Sequence, residues 1–313
     1  MDSTLADVPA PDASAQPDGF VVTVGSGDRI HFLDWGGPGD GAEGEGAGVV
    51  LVHGLSQTAW SWTPVARRLR GVTHTVAMEL RGHGLSDAPT GERDYEPDVL
   101  GEDVVGVAEG SGMLADEGAR VVIAGHGFGA IVGAWAALAL GKRCAGLVLV
   151  DGGWEVMETA TGLDLDEFMR GLDEPPEVMR SMGSFLADRR GFDPSTWDDD
   201  QRQAAEATVV ETHAGHVVPA TRPHALEASV RTMFGYEPTA TLSRLAAPVV
   251  ALIASDDEAR SRRAAMDAAS RARVAAGLEP IRAVSFGHDG HNLMRYRPRE
   301  VAAAIMSLAV RTP

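Results

Sequence analysis

Cysteine and lysine are almost absent from this sequence of 313 residues, which contains only Cys144 and Lys142. One cysteine cannot close a disulfide within the chain, and no cluster of cysteines offers a metal site. We therefore expect a protein of the reducing cytoplasm that needs neither a metal nor another cofactor.

Long apolar runs and a targeting signal are also missing. No apolar stretch approaches the roughly 20 residues that span a bilayer, which predicts a soluble protein. Residues 1–18 are acidic and rich in Pro and Ala, without the basic start and apolar run of a secretory signal. This segment is expected to be a disordered leader.

Basic residues are scarce relative to acidic ones. The chain has 27 Lys and Arg against 45 Asp and Glu, which gives a formal net charge of −18. Binding to nucleic acid or to an anionic membrane needs basic side chains that neutralise phosphates, so neither partner is expected. The expected partner is a small organic substrate or ligand, and a homodimer is compatible with the composition.

Hydrophobic patterns indicate an α/β fold. Two alternating segments, GFVVTVGSG and RIHFLDWG, predict an antiparallel hairpin at one sheet edge. Six short apolar runs follow, most of them separated by helical patterns, as expected for strands buried on both faces of a parallel sheet. These runs are VVLVHG, HTVAMEL, RVVIAGHG, GLVLVDGG, PVVALIA and IRAVSFG.

A change of pattern divides this alternation. Residues 154–238 consist of short helical pieces with prolines and acidic loops, placed after the strand GLVLVDGG. Such an insertion predicts a helical lid over the carboxyl ends of the strands. The core is then formed by residues 19–153 and 239–313.

One segment, VVIAGHGFGAIVGAWAA, runs from a buried strand through a glycine-rich turn into an apolar helix. A Gly-rich strand-to-helix turn also occurs in nucleotide-binding folds, where its amides meet phosphate. The segment resembles the nucleophile elbow of the α/β-hydrolase family, Gly-x-Ser-x-Gly. Gly125, His126, Gly127, Phe128 and Gly129 fill the pattern, with glycine where the family carries its serine.

Further segments in the family's order favour the hydrolase interpretation. LVHGLSQTAWSW resembles the His-Gly oxyanion segment, which implies that the backbone N–H groups of Leu55 and Phe128 converge on a developing oxyanion. ELRGHGLSD is similar to the family's Asp-x-x-Gly-x-Gly-x-Ser loop, with Glu79 in place of Asp.

The resemblance implies an acid that orients a catalytic histidine. The family usually places this acid after the strand PVVALIA, where the spacing favours Asp257 and leaves Asp256 as its rival. Asp151, after GLVLVDGG, occupies the other position that some members use. Each could instead be a solvated loop carboxylate or a helix cap.

The segment SFGHDGHNLMRYRPREV contains the expected histidine, because it resembles the family's C-terminal histidine loop. In the motif a proline follows the histidine by seven residues, and Pro298 has this spacing from His291 but not from His288. The resemblance therefore implies a mostly parallel eight-stranded sheet flanked by helices, with Gly127 at the tip of the fifth strand and the lid after the sixth. Residues expected to contact the substrate are His126, Ser56 and Trp154.

Glycine at position 127 removes the nucleophilic hydroxyl, and three explanations are compatible with the remaining motifs. The first is a serine-to-glycine replacement in a hydrolase of a small ester, lactone or related substrate. The second is a non-covalent enzyme, in which His291 activates water or removes a substrate proton as in the family's lyases, epimerases and cofactor-free dioxygenases. The third is a non-catalytic small-molecule-binding protein on the same scaffold.

Overall fold

The structure is a computed structural model that describes residues 8–38, 46–91, 93–172, 181–255, 259–287 and 290–310. Eight of its ten described strands build one sheet, and the other two form a separate antiparallel hairpin. In chain order the strands are β1 Asp18–Thr23, β2 Arg29–Asp34, β3 Gly48–Val52, β4 Thr75–Met78, β5 Val121–His126, β6 Cys144–Val150, β7 Val209–Glu211, β8 Val217–Pro219, β9 Val249–Ser255 and β10 Arg282–Gly287. The sheet order is β1-β2-β4-β3-β5-β6-β9-β10.

Strand directions confirm the predicted sheet. β1 runs antiparallel to β2, and β2 runs antiparallel to β4. All other neighbours in the sheet are parallel. The hairpin of β1 and β2 thus lies at one edge, and Gly127 directly follows the fifth strand, as the sequence predicts.

Helices cover both faces of the sheet. They are α1 Thr63–Leu69, α2 Pro97–Gly110, α3 Phe128–Leu140, α4 Met157–Thr161, α5 Leu165–Leu172, α6 Met182–Phe192, α7 Asp199–Ala207, α8 Pro223–Phe234, α9 Pro238–Leu242, α10 Ala259–Ala275, α11 Leu293–Tyr296 and α12 Pro298–Ala309. One face packs on α2, α3 and α10, and the other packs on α1 and α12. Because both faces are covered, every residue of β4, β5 and β6 is buried. None of the described helices has the length and apolarity needed to cross a bilayer.

The chain between β6 and β9 leaves the sheet, within the range predicted for the lid. Within that range it forms α4 to α8 and the small hairpin of β7 and β8, and α9 begins at the last residue of the range. Met157 of α4 and Met233 of α8 line a cavity that also touches the loops after β5 and β6. The insertion therefore supplies one wall of that cavity.

The N-terminal segment differs from the expected disordered leader in residues 8–17. The backbone N–H of Asp12 donates to the carbonyl of Arg67, and the Asp12 carboxylate pairs with Arg70. Ala15 is buried against the same helix, α1. The half-buried Arg67 and Arg70 thus hold an acidic segment whose composition alone indicates disorder.

Glycines make the turn from β5 into α3 sterically feasible. A Cβ atom on Gly125 would lie 2.1 Å from the carbonyl oxygen of Gly129, and one on Gly129 would lie 2.4 Å from that of Val52. Neither contact can be relieved by moving a side chain, since both involve backbone atoms. The turn therefore packs directly against β3, which brings the segment after β3 next to Gly127.

Two buried histidines fix the loops after β3 and β4. His53 donates from Nδ1 to the carbonyl of Gly54 and accepts at Nε2 from the N–H of Leu80. His83 donates from Nδ1 to the carbonyl of Arg81 and accepts at Nε2 from the N–H of Ser56. Each ring makes one donor and one acceptor bond, which is the pattern of a neutral imidazole.

Burial explains why both rings stay neutral. Desolvation lowers the pKa of His53 to about 3 and that of His83 to about 4. The unfolded chain takes up these protons near pH 6.5, whereas the folded chain does not, so the unfolded state binds more protons as the pH falls from about 6.5 to about 4. Stability is therefore lost on mild acidification.

We predict that the free energy of unfolding falls by about 2 kcal/mol per histidine between pH 7.5 and pH 5. Urea unfolding at a series of pH values measures this fall. His83→Gln should show a smaller fall than the wild-type chain, whereas His213→Gln, at an exposed position, should show the same fall. A stability that does not change between pH 7.5 and 5 would contradict the buried neutral state of these rings.

Candidate active site

Gly127 connects β5 to α3 in a conformation that favours glycine. Its φ is +53° and its ψ is −116°, and its N–H donates to the carbonyl of Val150 at 3.1 Å. A Cβ atom built on Gly127 would lie 3.4 Å from Nε2 of His291 and 3.9 Å from Cα of Gly54. The space in front of Gly127 thus faces an imidazole nitrogen and is large enough for a small side chain or a water molecule.

His291 is oriented by a buried carboxylate. Its Nδ1 lies 2.6 Å from Oδ2 of Asp151, whose side chain is 1% exposed, whereas the His291 side chain is 59% exposed. Nδ1 donates in this bond, so Nε2, the nitrogen that faces Gly127, is free to accept a proton.

Asp151 follows β6 directly, and two hydrogen bonds fix the carboxylate oxygen that does not face His291. Its φ is +48°, unusual for a residue other than glycine. Oδ1 accepts from the backbone N–H of Ala254, at the end of β9, and from Nη1 of Arg262, both at 2.8 Å. Since β6 and β9 are neighbours in the sheet, their carboxyl ends meet at this carboxylate.

Arg262, one turn into α10, links this carboxylate to a second acid. Its Nε donates to Oε2 of Glu155 at 2.9 Å, and its guanidinium carbon lies 5.3 Å from the ring centre of Trp154. The Arg262 side chain is 12% exposed, which limits screening of its charge by water. No sequence motif marks Arg262, because its contact with Asp151 depends on the pairing of β6 with β9.

Electrostatics at Asp151 favour its ionised form. Burial by itself raises the pKa of the carboxyl. The hydrogen bond to His291 and the charge of Arg262 outweigh burial, so that the pKa of Asp151 lies below the ordinary value for aspartate. Asp151 therefore presents a negative charge to His291 across the neutral pH range.

The acid that the spacing favours and the alternative histidine lie outside the described residues. These positions are Asp257, its rival Asp256, and His288. Among the described residues, the structure brings together Gly127, His291 and Asp151. Asp151 is the second of the two positions at which the sequence allows the acid.

Leu55 and Phe128, whose backbone N–H groups are predicted to form an oxyanion site, both line the cavity that contains Gly127. Leu55 belongs to the loop after β3, and Phe128 is the first residue of α3. Within the described part of the chain, neither N–H donates to an acceptor. Both amides are thus available to a ligand in front of Gly127.

The cavity around these groups has a volume of about 590 Å³. Its lining combines apolar walls with the polar groups described above; the apolar members include Leu55, Phe128, Ile131, Met157, Ala160 and Met233. A volume and lining of this kind suit a small organic molecule. Among the described residues, no group of three or more His, Cys, Asp or Glu could hold a metal ion.

The three predicted substrate contacts occupy different places. His126 lines the cavity, and its Nε2 lies 3.1 Å from the carbonyl oxygen of His291. Burial, followed by the charge of His291, lowers the pKa of His126 to about 3. Ser56 lines a neighbouring cavity, and Trp154 is buried beneath Arg262.

Gln57 and Asn292 were not predicted, yet they join the two loops that carry the site. Nε2 of Gln57 donates to Oδ1 of Asn292 at 2.7 Å, and Oε1 of Gln57 lies 3.0 Å from Nδ1 of His126. Their positions, two residues after Leu55 and one after His291, were the available signal. Residues directly beside two motifs that meet in space are candidates for contact between them.

A family model and known proteins with related sequences match this chain. A family model described as the alpha/beta hydrolase family matches residues 49–304. Epoxide hydrolase 4 from Mus musculus is 29% identical over 116 residues, which cover 37% of this chain and 29% of the mouse protein. The match therefore spans less than a third of that relative's length.

Solved structures match over nearly the whole chain. The E-2-(acetamidomethylene)succinate hydrolase gives a TM-score of 0.72 at 19% identity, covering 93% of this chain and 98% of that chain. The thioesterase domain from the curacin biosynthetic pathway gives a TM-score of 0.68 at 17% identity, covering 93% of this chain and 99% of that chain. These structures share the fold, and the family model covers most of the sequence: the chain belongs to the alpha/beta hydrolase family.

Proposed function

We propose that this chain hydrolyses a small ester, lactone or related acyl substrate by direct attack of water. His291 is the general base, Asp151 orients it, and the N–H groups of Leu55 and Phe128 form the oxyanion site. The observation that carries the proposal is the 3.4 Å between His291 Nε2 and a Cβ position on Gly127, combined with the bond from Asp151 to Nδ1.

Water can take the place that a serine hydroxyl has in other members of the family. Glycine leaves the volume of a CH₂OH group empty between Gly127 and the imidazole, and the exposed face of His291 gives access from the cavity. A water molecule there would lie within hydrogen-bond reach of a nitrogen that can accept its proton. The site then needs no covalent intermediate.

The reaction follows from these positions. His291 Nε2 takes a proton from water while the water oxygen bonds to the acyl carbon, and the electron pair of the carbonyl moves to its oxygen. The resulting oxyanion accepts hydrogen bonds from Leu55 and Phe128. When the intermediate collapses, the bond to the leaving oxygen breaks, and that oxygen takes the proton back from Nε2. The products are an acid and an alcohol.

The relatives support addition of water as the reaction class. The mouse relative is named an epoxide hydrolase, and the two structures are a hydrolase and a thioesterase. The cavity also suits an organic substrate of small size.

We predict that Gly127→Ser raises kcat/KM for p-nitrophenyl acetate by roughly 10²-fold or more, because the base, acid and oxyanion groups are already assembled. Nitrophenolate release measures the rate. His291→Ala in the same background should remove the gain, whereas His213→Ala, at an exposed position, should leave it unchanged.

The wild-type chain provides a further discriminating result. Its slower hydrolysis should require His291 and should place ¹⁸O from labelled water in the acid product. Conversion of a substrate through His291 without ¹⁸O incorporation would indicate proton removal and not hydrolysis. Tight ligand binding without turnover by either form would identify a binding protein.

Arg262 is proposed as a positioning residue for Asp151. Its guanidinium occupies the carboxylate oxygen that does not face His291, and Glu155 holds the guanidinium from the other side. Loss of this cation would free Asp151 to rotate and would raise the pKa of its carboxyl, since a nearby positive charge favours the ionised form.

We predict that Arg262→Gln lowers kcat/KM by roughly 10 to 100-fold, measured in the Gly127→Ser background, because small misplacements of a catalytic group have effects of this size. The loss of activity on acidification should also begin at a higher pH, since Asp151 is protonated more readily. Arg263→Gln is the matched control, because Arg263 is exposed on the same helix and bonds to Ser285. An unchanged pH profile in Arg262→Gln would leave Arg262 with a structural role only.

A further inference from the structure

A second cavity adjoins the candidate active site. It has a volume of about 450 Å³ and lies between the loop after β3, α11, and the α6 to α7 part of the insertion. Gln57 and Asn292 line both cavities, and the hydrogen bond between their side chains forms the shared wall. A ligand that passes this pair would occupy both spaces.

The charge of this second cavity is opposite to that of the whole chain. Its described lining contains Arg189 and Arg295 and no Asp or Glu, although the chain carries a net charge of −18. Arg295 is held by bonds to Thr196 and to the carbonyl of Asp193, and among the described residues its nearest carboxylate oxygen is Oδ2 of Asp193, at 4.0 Å. The cavity thus presents an oriented guanidinium that is only loosely neutralised.

Arg295 is the group in this lining that suits an anion. A guanidinium offers several N–H donors in one plane, and a carboxylate accepts them as charge-assisted hydrogen bonds. Thr58 offers no donor to the cavity, because it is 2% exposed and its Oγ1 is buried.

We propose that the second cavity binds a carboxylate group of the substrate whose acyl group lies at Gly127. The inference rests on the proposed function, because it assigns the remote end of the same substrate. It identifies the substrate class as an ester or lactone with a negatively charged tail. Arg295 determines this specificity, and Arg189 adds positive charge at the rim.

Binding of matched neutral and anionic probes tests this subsite. Monomethyl esters of linear dicarboxylic acids with four to eight carbons are compared with their dimethyl esters by isothermal titration calorimetry on His291→Ala, which cannot turn them over. We expect at least one monomethyl ester to bind tenfold tighter than its dimethyl partner. Equal binding for every chain length would overturn the proposal.

Variants assign the preference to the named residues. Arg295→Gln should remove the preference, and Arg295→Lys should retain part of it. Arg189→Gln removes the other positive charge of the cavity from an exposed position of α6, without disturbing the packing around Arg295. Arg231→Gln is the control, because Arg231 pairs with Glu227 on the surface of α8.

The outcomes separate the subsite from the reaction. A carboxylate preference that Arg295→Gln and Arg189→Gln both leave intact would place the anion elsewhere and overturn the proposal. Ester hydrolysis by Gly127→Ser without any such preference would refute the subsite and leave the proposed function standing. The preference without hydrolysis in any form would support the subsite and refute the function.

Discussion

The hydrogen bond between Asp151 and His291 joins two distant parts of the chain, and the geometry of the site depends on it. Asp151 follows β6, His291 follows β10, and the N–H of Ala254 at the end of β9 holds the carboxylate between them. The parallel order β6-β9-β10 brings these three strand ends to one edge. Any shift in register between β6 and β9 would move the acid away from the base.

Arg262 gives this pair an unusual electrostatic setting. A buried carboxylate that oriented only a histidine would carry a desolvated negative charge with a single partner. Arg262 balances that charge, and Glu155 in turn balances Arg262, so these three side chains alternate in sign. This arrangement keeps Asp151 ionised, and an ionised Asp151 keeps Nδ1 of His291 as the donor and Nε2 as the acceptor.

Glycine at the elbow changes the chemistry without changing the backbone. The positive φ of Gly127 and the close approach of Gly125 and Gly129 to neighbouring backbone are requirements of the turn itself. A serine at this position would meet the same φ and would place its Cβ in ordinary contact with His291. The proposed role of water follows from this unfilled space.

Local patterns predicted the strands of the sheet, and they marked Gly127 and His291, which the structure brings close together, because each pattern lies in a short continuous segment. The acid was harder to predict. Linear spacing favoured Asp257, whereas the carboxylate that the structure places against His291 belongs to Asp151. Both residues follow apolar strands that are neighbours in the sheet, so the choice depends on the three-dimensional arrangement. Arg262, Gln57 and Asn292 act through contacts between loops, which only the three-dimensional arrangement shows. The packing of residues 8–17 on α1 was missed for the same reason.

The proposed site consists of a base, an acid and two oxyanion N–H groups around a nucleophile position that glycine leaves without a hydroxyl. Labelling of the Gly127→Ser variant with a fluorophosphonate, followed by mass spectrometry of the peptide that contains position 127, reports whether these groups act together. We expect a near-stoichiometric adduct at that position, absent from the wild-type chain and strongly reduced when His291→Ala or Asp151→Asn is added. No adduct, or an adduct that forms equally fast without His291, would show that these groups do not form a hydrolase site.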